Sequence, residues 1–551
     1  MSEDVFDYVV AGAGTAGCVL ANRLSADPKV RVALIEAGSS DTHPWIHIPA
    51  MVGAAIATPK LGWGYFTEPQ AHMGGRRIPI PRGRVLGGCS SLNGMVYNRG
   101  HPKDYDDWAA MGARGWSYRE VLPYFLRSED NERFQGSPFH GHGGEMAVTD
   151  IHRTNPMNAA FFQAMEELQV RRCPDFNSSD PEGYGFRQAT IRRGRRESMA
   201  TAFLRPIKDR KNLQVITDAP AQRVLIEGGR ATGIEVRTPE GLRRITARRE
   251  VVLTSGAIGS PQLLQLSGVG DGEALNALGI EVQHHLPSVG ANLRDHLAVL
   301  VQMVMKDSSS YGISLAATPR GAWNILEYAL FRQGPFASFV FEANAFLRTL
   351  PELDRPDVQL VFQPARRNQN TFPLPLGHGF VGSSVLLYPK SRGTVSLKSP
   401  DPLAPAAIDP NLLSAAEDYE PLLRAIRFCR RVFASPAFAR YHASEFKPGA
   451  AATDDEVLRT YIRDTGSTVH HPSGTCRMGS GEDAVVDAEL KVRGIEGLRV
   501  ADASIFPRLV GGNTNAVVVM VAEKAADLIL GRAAPRPIDL DAETERAAVA
   551  S

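Results

Sequence analysis

Three glycines near the N-terminus have the spacing of a turn that can hold a phosphate group. Gly12, Gly14 and Gly17 form the pattern G-x-G-x-x-G, and the acidic residue Glu36 follows at the spacing typical of a carboxylate that binds a ribose. The first glycine of this pattern permits a sharp bend, the second lets the backbone approach a pyrophosphate, and the third lets a helix pack on a strand. The pattern therefore predicts a dinucleotide site, and an acid at position 36 disfavours NADP.

The elements around this turn must form one βαβ unit. Val5–Ala11 is an apolar, β-branched run typical of a buried parallel strand, Gly17–Leu24 is the helix, and Val30–Ile35 is a second strand that ends at Glu36. The helix would direct the partial positive charge of its N-terminus at the phosphates. Further strands are predicted at Glu250–Ser255 and Leu498–Ala501, and helices at Tyr118–Arg127, Met157–Leu168, Gln262–Leu266 and Ala516–Leu530, the last ending at Gly531.

Other segments indicate antiparallel structure. Three short runs are predicted to form a small antiparallel set: Leu213–Thr217, Gln222–Glu227 and Thr232–Arg237. The segment 300–460 alternates strand-like runs with the helix Tyr419–Phe433; these runs are Val358–Phe362, Ser384–Leu387 and Thr394–Leu397. Such alternation predicts a second domain built on an antiparallel sheet.

Composition excludes several classes of function. The 551 residues suggest two or three domains, and a net charge of +1 implies no nucleic-acid partner. The five cysteines are far apart and form no C-x-x-C, which predicts reduced thiols, no structural zinc and a cytoplasmic location. We expect no secretory signal, and the apolar run Ala516–Ala522 is too short to span a bilayer, which leaves peripheral membrane contact open. The oligomeric state is not predicted.

Two glycine-rich segments bear on whether the dinucleotide is FAD or NAD. Residues Gly83–Gly94 contain four further small residues, Gly87, Gly88, Ser90 and Ser91, and Gly256–Gly270 follows a predicted strand and begins a helix. Small side chains and free N–H groups let a backbone lie against a planar ring or a diphosphate. The alternative for the first segment alone is a surface loop.

With these segments the chain resembles the glucose–methanol–choline (GMC) oxidoreductase family. The two segments resemble the two signatures of that family, and Val289–His296 and Pro389–Gly393 match it as well, so that the resemblance runs from about residue 5 to residue 531. It is strongest to choline dehydrogenases and acceptor-linked alcohol dehydrogenases. It implies an α/β fold in which a Rossmann-like FAD-binding domain is assembled from segments 1–155, 215–300 and 465–531. A substrate domain with an antiparallel sheet would comprise 156–214 and 301–464, followed by a loose tail, 532–551.

The resemblance also implies the cofactor contacts. Gly12, Gly14, Gly17 and Glu36 would hold the ADP half of FAD, with Thr15, Ala16 and Ala37 beside them. Val85, Gly88, Asn93 and Met95 would lie along the diphosphate and isoalloxazine, with Ser91, Gly94 and Val96. Val224 would meet the adenosine end, and Ser255, Gly256, Asp502, Ala503, Asn513 and Thr514 complete the set. Leu92 stands where some choline oxidases carry a histidine bonded to the flavin, so we expect non-covalent FAD.

The catalytic candidates lie in two C-terminal motifs. Oxidation of an alcohol needs a base near neutral pKa, which favours histidine, and the loop Val469–Gly479 holds two. The resemblance assigns the base to His471, which precedes Pro472, whereas relatives usually carry an aromatic residue in place of His470. The role of His470 stays open between pocket wall and catalyst.

Asn513 is the predicted partner of the base. Its amide would donate to the substrate oxygen as the alkoxide develops, and it lies in the run Gly511–Ala516. Asparagine and threonine are also good N-caps for the following helix. Both readings are compatible, with Asn513 catalytic and Thr514 or Asn515 capping.

These residues predict FAD-dependent oxidation of a primary alcohol to the aldehyde. His471 would take the hydroxyl proton, and the flavin N5 would accept the hydride. The electrons would then pass to a quinone or another carrier that is not NAD. An oxygen-using alcohol oxidase, a redox-silent or photochemical relative (hydroxynitrile lyase or photodecarboxylase) and a non-catalytic flavoprotein are the alternatives. An apolar pocket that favours an aliphatic or aromatic alcohol over a sugar is expected from six aromatic residues: Tyr311, Trp323, Tyr328, Phe336, Phe339 and Phe341. Choline would need a cage of aromatic or acidic groups, which the sequence does not locate.

Overall fold

The structure is a computed structural model that describes residues 4–367 and 376–540. Two seven-stranded sheets organise this part of the chain. Its helices are Thr15–Leu24, Pro44–His47, Val52–Ile56, Pro102–Ala110, Tyr118–Ser128, Met157–Glu167, Gly256–Leu266, Gly272–Ala277, Thr318–Phe331, Tyr419–Phe433, Pro436–Ala439, Asp455–Thr465 and Asn515–Leu530.

The first sheet contains the predicted βαβ unit. Its strand order is Leu213–Ile216, Val32–Ile35, Val5–Ala11, Gly241–Leu253, Arg230–Thr238 and Ala221–Glu227, with Leu498–Val500 beside Gly241–Leu253. The strands from Leu213–Ile216 to Gly241–Leu253 run parallel to one another, and Leu498–Val500 is parallel to Gly241–Leu253. Arg230–Thr238 pairs antiparallel with Gly241–Leu253, and Ala221–Glu227 pairs antiparallel with Arg230–Thr238. The sheet is therefore mixed, as is common for large sheets with an antiparallel edge.

One sequence prediction for this sheet is wrong. Leu213–Ile216 does not join an antiparallel set; it pairs parallel with Val32–Ile35 and forms the edge of the parallel half. The other two predicted members, Ala221–Glu227 and Arg230–Thr238, do pair antiparallel. A short edge strand with two exposed residues carries no periodic signal that separates the two pairings.

Two helices pack together on this sheet and bring their N-termini to the same edge. They are Thr15–Leu24 and Asn515–Leu530, and both are buried over almost their whole length. The second helix ends at Gly531, which is left-handed with φ of +62°, as predicted. Helices that are apolar all round are typical of a domain interior.

The second sheet is antiparallel throughout, which confirms the sequence prediction. Its order is Ser444–Lys447, Leu297–Met305, His378–Leu386, Val358–Gln363, Ala343–Leu347 and Gly183–Phe186, with Ser467–Thr468 beside Leu297–Met305. Helix Tyr419–Phe433 packs on one face around a cluster of aromatic rings that includes Phe362, Phe380 and Phe433. The predicted strand at Thr394 lies apart, because Thr394–Ser396 pairs only with Ala407–Asp409.

Smaller elements complete the architecture. Four further two-stranded ribbons are Val96–Tyr97 with Gln188–Ala189, Glu129–Asn131 with Met146–Val148, Ile191–Arg192 with Arg195–Arg196, and Val269–Gly270 with His284–His285. Within residues 4–367 and 376–540, no helix is long and apolar enough to cross a membrane. The predicted tail is described as far as residue 540, where the Ile538 N–H donates to the Arg119 carbonyl, and residues 541–551 lie outside the described residues. The predicted domain limits stay a prediction.

Candidate active site

The glycines of the N-terminal turn have the conformations that their spacing requires. Gly12 has a φ of +109°, which disfavours any side chain. A Cβ on Gly17 would lie 1.9 Å from the Gly12 carbonyl oxygen, so the helix can approach the turn only because residue 17 has no side chain. A Cβ on Gly14 would meet nothing closer than the Thr254 carbonyl oxygen at 3.8 Å. Gly14 therefore presents open backbone to the space above the turn.

Glu36 closes this turn from the next strand. Its carboxylate accepts hydrogen bonds from the backbone N–H groups of Ala13, at 3.0 Å, and Gly38, at 2.8 Å. Burial raises the pKa of Glu36 to about 7, opposed by those two hydrogen bonds. The carboxylate thus holds the turn in place and borders the cavity described next.

A cavity of about 890 Å³ runs from the turn to the His471 loop. Its size is at the upper end for small-molecule sites. The predicted site residues that line it are Gly12, Gly14, Thr15, Ala16, Glu36, Ala37, Gly88, Asn93, Gly94, Met95, Val96, Ser255, Gly256, His471, Asp502, Ala503, Asn513 and Thr514. One continuous space therefore joins segments that are far apart in the sequence.

Four predicted cofactor residues do not line the cavity. Gly17 lies behind the turn, Val85 is fully buried in a small apolar cluster, and the Ser91 hydroxyl donates to the Leu86 carbonyl. The Val224 N–H, expected at the adenosine end, donates instead to Ser267 Oγ. Ala219, Pro220 and Ala221 line the cavity there, at the start of the strand that contains Val224.

The two helix N-termini at this edge are uncapped. Neither Gly14 nor Thr514, which precede the helices, forms a side-chain capping bond, so the predicted cap at Thr514 is not formed. Asn515 does not cap either, because its Oδ1 accepts a hydrogen bond of 2.7 Å from Thr15 Oγ1 and so ties the helices together. Free N–H groups at paired helix N-termini form an anion site. The residues present therefore fit the diphosphate of a dinucleotide.

Three groups hold His471 at the other end of the cavity. Its backbone N–H donates to Asp295 Oδ1 at 2.7 Å, and its Nε2 lies 3.2 Å from Asn513 Nδ2. Its Nδ1 lies 2.9 Å from His296 Nδ1. His470 has a left-handed φ of +69°, and its carbonyl accepts a hydrogen bond of 2.6 Å from Arg82. The imidazole of His471 is therefore fixed by hydrogen bonds at both nitrogens.

These contacts determine which nitrogen of His471 carries the proton. His296 Nε2 lies 3.0 Å from the Val510 carbonyl oxygen, which can only accept, so His296 carries its proton at Nε2. Burial lowers the pKa of His296 to about 4, so His296 is neutral at pH 7 and its Nδ1 is an acceptor. His471 must then donate from Nδ1. Its Nε2 is left unprotonated, with its lone pair directed at the Asn513 amide N–H, as a general base requires.

The surrounding charges keep His471 neutral. Burial lowers its pKa well below the usual value, and His296, Arg82, His470 and Arg187 lower it further. Burial likewise lowers the pKa of His470 to about 3. Burial raises the pKa of Asp295 to about 7, although its bond to the His471 N–H opposes that shift. The free base is thus the stable form of the imidazole at neutral pH.

Sequence reasoning missed several residues of this end. His296 and Asp295 lie within the Val289–His296 motif, which matches the family, but the motif alone assigns no role to either residue. Of the six aromatic residues expected in the pocket, only Phe339 and Phe341 line the cavity. Trp323 is 56% exposed, and Tyr311 donates to buried Glu342 instead.

The family models for GMC oxidoreductases match residues 6–298 and 389–522. The chain belongs to the GMC oxidoreductase family. It is 42% identical over 528 residues to an alcohol dehydrogenase (acceptor) of Pseudomonas putida, covering 96% of each chain. It is 42% identical over 540 residues to an oxygen-dependent choline dehydrogenase of Rhizobium johnstonii, again over 96% of each.

Solved structures give the same fold. Pyridoxine 4-oxidase from Mesorbium loti matches with a TM-score of 0.84 at 32% identity, over 96% of this chain and 100% of that one. A variant of formate oxidase from Aspergillus oryzae matches with a TM-score of 0.89 at 28% identity, over 96% and 98%. The chain is an FAD-dependent oxidoreductase that acts on CH–OH donors.

Proposed function

We propose that this GMC oxidoreductase oxidises a primary alcohol to the aldehyde and passes the electrons to an acceptor other than NAD. The observation that carries the proposal is the hydrogen-bonded chain from the Val510 carbonyl through His296 to His471, which leaves His471 Nε2 unprotonated beside Asn513. A neutral imidazole with a defined lone pair, next to an amide donor, is the equipment needed to deprotonate a hydroxyl group.

In the proposed reaction the alcohol O–H points at His471 Nε2. The proton moves to that nitrogen while Asn513 Nδ2 donates to the developing alkoxide. The C–H electron pair leaves as hydride and the C=O bond forms, so one proton and one hydride leave the substrate. FAD supplies the hydride acceptor, its N5 atom. His296 keeps the imidazole in the required tautomer throughout.

The cavity supports non-covalent FAD. Leu92, which has no nucleophilic atom, lines the cavity, and the uncapped helix N-termini offer N–H groups for the diphosphate. Precipitation with trichloroacetic acid should therefore release all flavin into the supernatant. Yellow colour retained in the pellet would contradict this point and direct attention to Cys89, which also lines the cavity.

Anaerobic flavin reduction tests the proposed reaction. The holoenzyme should lose its long-wavelength flavin band on addition of hexan-1-ol or benzyl alcohol, and H471A should reduce its flavin about a hundredfold or more slowly. Asp502, at the predicted flavin site, accepts hydrogen bonds from Gly256 N–H and Ser260 Oγ and not from His471, so H471A should bind as much FAD as the wild type. Bleaching by no alcohol would sink the proposal and favour the lyase or photochemical alternatives.

Admission of air to the reduced enzyme separates the two acceptor classes. Slow return of the band, accelerated by a soluble quinone, is expected because an acceptor-linked alcohol dehydrogenase is among the relatives. Rapid return in air alone would make the enzyme an oxidase, as the name of pyridoxine 4-oxidase states for that relative. A cytoplasmic location and peripheral membrane contact stay predictions from the sequence.

A further inference from the structure

Besides Arg82, which bonds the His470 carbonyl, two guanidinium groups near the His471 end of the cavity have no acidic partner among the described residues. Arg187 is 6% exposed, and its Nε donates to the amide oxygen of Asn344. Arg367 lies with its guanidinium 5.8 Å from the centre of the Phe341 ring, and its backbone N–H donates to Gln302 Oε1 at 3.1 Å. Both line the cavity, and neither forms an ion pair within residues 4–367 and 376–540.

Both arginines lie near Phe341 in the cavity wall. Arg187 donates its backbone N–H to the carbonyl of Glu342, the neighbour of Phe341, and Arg367 stacks on the ring of Phe341 itself. The same ring packs on a buried cluster of Ala298, Val361 and Val385, as does Val469, which precedes the histidine pair. The two cations therefore border the space in front of the base.

Their electrostatic influence agrees with this placement. Arg187 is among the groups that lower the pKa of His471, and Arg367 is among those that lower the pKa of His470. Burial lowers the pKa of Arg187 itself to about 9. A buried cation without a counterion is costly, and proteins usually supply a partner.

The protein does not supply that partner in this cavity. Of the cavity-lining residues only Glu36 and Asp502 are acidic. Glu36 holds the dinucleotide turn, and Asp502 accepts hydrogen bonds from Gly256 N–H and Ser260 Oγ. Two further buried acids lie near the cavity but do not line it. Asp295 accepts a hydrogen bond from the His471 N–H. Glu342 accepts hydrogen bonds from Asn155, Asn158 and Tyr311.

Part of the cavity wall at this end is apolar. Ala298, Val361 and Val385 form a buried cluster, against which Phe341 and Val469 pack. A molecule in this space meets that apolar cluster, the polar side chains of Gln359, Gln363 and Ser383, the base with its amide, and the guanidinium groups near Phe341.

We propose that the substrate is a primary alcohol whose opposite end carries a carboxylate, bound by Arg187 and Arg367. The proposal rests on the alcohol oxidation proposed above and adds the substrate class. A guanidinium group matches a carboxylate geometrically and hydrogen-bonds it strongly when water is excluded. A quaternary ammonium such as choline would instead face two cations, so this chain should discriminate against the substrate named for its choline-dehydrogenase relatives.

Three benzylic alcohols that differ in the para substituent test the proposal with the holoenzyme. They are 4-(hydroxymethyl)benzoate, benzyl alcohol and 4-(hydroxymethyl)phenyltrimethylammonium, and the readout is the anaerobic rate of flavin reduction against concentration. The carboxylate should exceed benzyl alcohol in apparent second-order rate constant by about tenfold or more, because charged hydrogen bonds contribute at least that factor. The cation should be the poorest of the three.

Variants assign the effect to the two arginines. R367Q and R187Q should each lower the rate constant for the carboxylate, relative to that for benzyl alcohol, by about tenfold. R320Q removes the same charge from a side chain that bonds the Ser308 and Ser310 carbonyls outside the cavity, and should change neither. If R187Q does not fold because Arg187 is buried, the comparison of R367Q with the wild type is sufficient to test the proposal.

Binding gives a second readout without turnover. Titration with 4-methylbenzoate should perturb the flavin spectrum of both proteins. The Kd obtained for the wild type should be about tenfold lower than the Kd obtained for R367Q. Equal rates for the carboxylate and benzyl alcohol, or an unchanged carboxylate preference in both arginine variants, would overturn the substrate class and leave alcohol oxidation standing. Failure of all three alcohols to reduce the flavin would instead remove the proposed function itself.

Discussion

His296 Nδ1 lies 2.9 Å from His471 Nδ1, with the two rings nearly perpendicular. Two neutral imidazoles can share such a contact only if one donates and the other accepts. The Val510 carbonyl makes His296 the acceptor, and this assigns the free lone pair of His471 to the nitrogen beside Asn513. The backbone of a neighbouring segment thereby sets the chemistry of the proposed base.

Replacement of His296 should impair the proposed base without removing it. H296L leaves His471 free to carry its proton on either nitrogen, so the rate of flavin reduction should fall about tenfold to a hundredfold, less than in H471A. H296N restores an acceptor oxygen and should recover most of the rate. Equal losses in H296L and H296N, or a change only in KM, would contradict a role in tautomer selection.

Asn513 should contribute through its amide donor. N513A removes the N–H beside His471 Nε2 and should lower the rate of flavin reduction by about 10²-fold to 10³-fold, the range for loss of one donor to a developing oxyanion. Asn515 offers a matched control, since its side chain bonds Thr15 and not His471. N515A should slow reduction far less; a loss as large as that of N513A would point to helix placement as the common cause.

His470 should make the stability of the protein depend on pH. Burial lowers its pKa to about 3 in the folded state, below the value of about 6.5 in an unfolded chain. The unfolded state therefore binds one more proton between these values, and stability is lost as pH falls below about 6.5, by up to about 1.4 kcal/mol per pH unit for this group.

The H470F variant isolates this contribution. Urea unfolding from pH 7 to pH 5 should show a pH slope lower by about one proton than in the wild type, because an aromatic ring without a titratable group replaces the imidazole. His296, Asp295 and Glu36 are common to both proteins and cancel in the comparison. His471 loses only the lowering of its pKa that His470 contributes, and burial, the largest cause, still keeps that pKa low in H470F. Identical slopes would show that His470 is protonated in the folded state.

Two glycines of the turn should respond differently to one added methyl group. In G17A the new Cβ would collide with the Gly12 carbonyl, so the protein should unfold more easily, by about 1–3 kcal/mol, with or without added FAD. In G14A the Cβ has room within the protein but enters the cavity. G14A should keep the stability of the flavin-free protein and weaken FAD binding, measured by quenching of flavin fluorescence; normal FAD affinity in G14A would argue against close approach of the cofactor there.

The sequence by itself determined the local parts of this protein. The G-x-G-x-x-G turn, the strand before it and the C-terminal helix ending at Gly531 follow from residue type and periodicity over a few positions, and the structure has them where predicted. His471 and Asn513 are predictable from the sequence because both lie in short runs typical of the family.

Only the tertiary structure decided what stands around those residues. His296 and His471 are 175 positions apart. Arg367 lies over the Phe341 ring, and Arg187, from a different segment, bonds the carbonyl of the next residue, Glu342. The pairing of Leu213–Ile216 and the occupied N–H of Val224 were likewise not predictable from local pattern. Each depends on which distant segments bury their surfaces together, and local backbone preference carries no information about that choice.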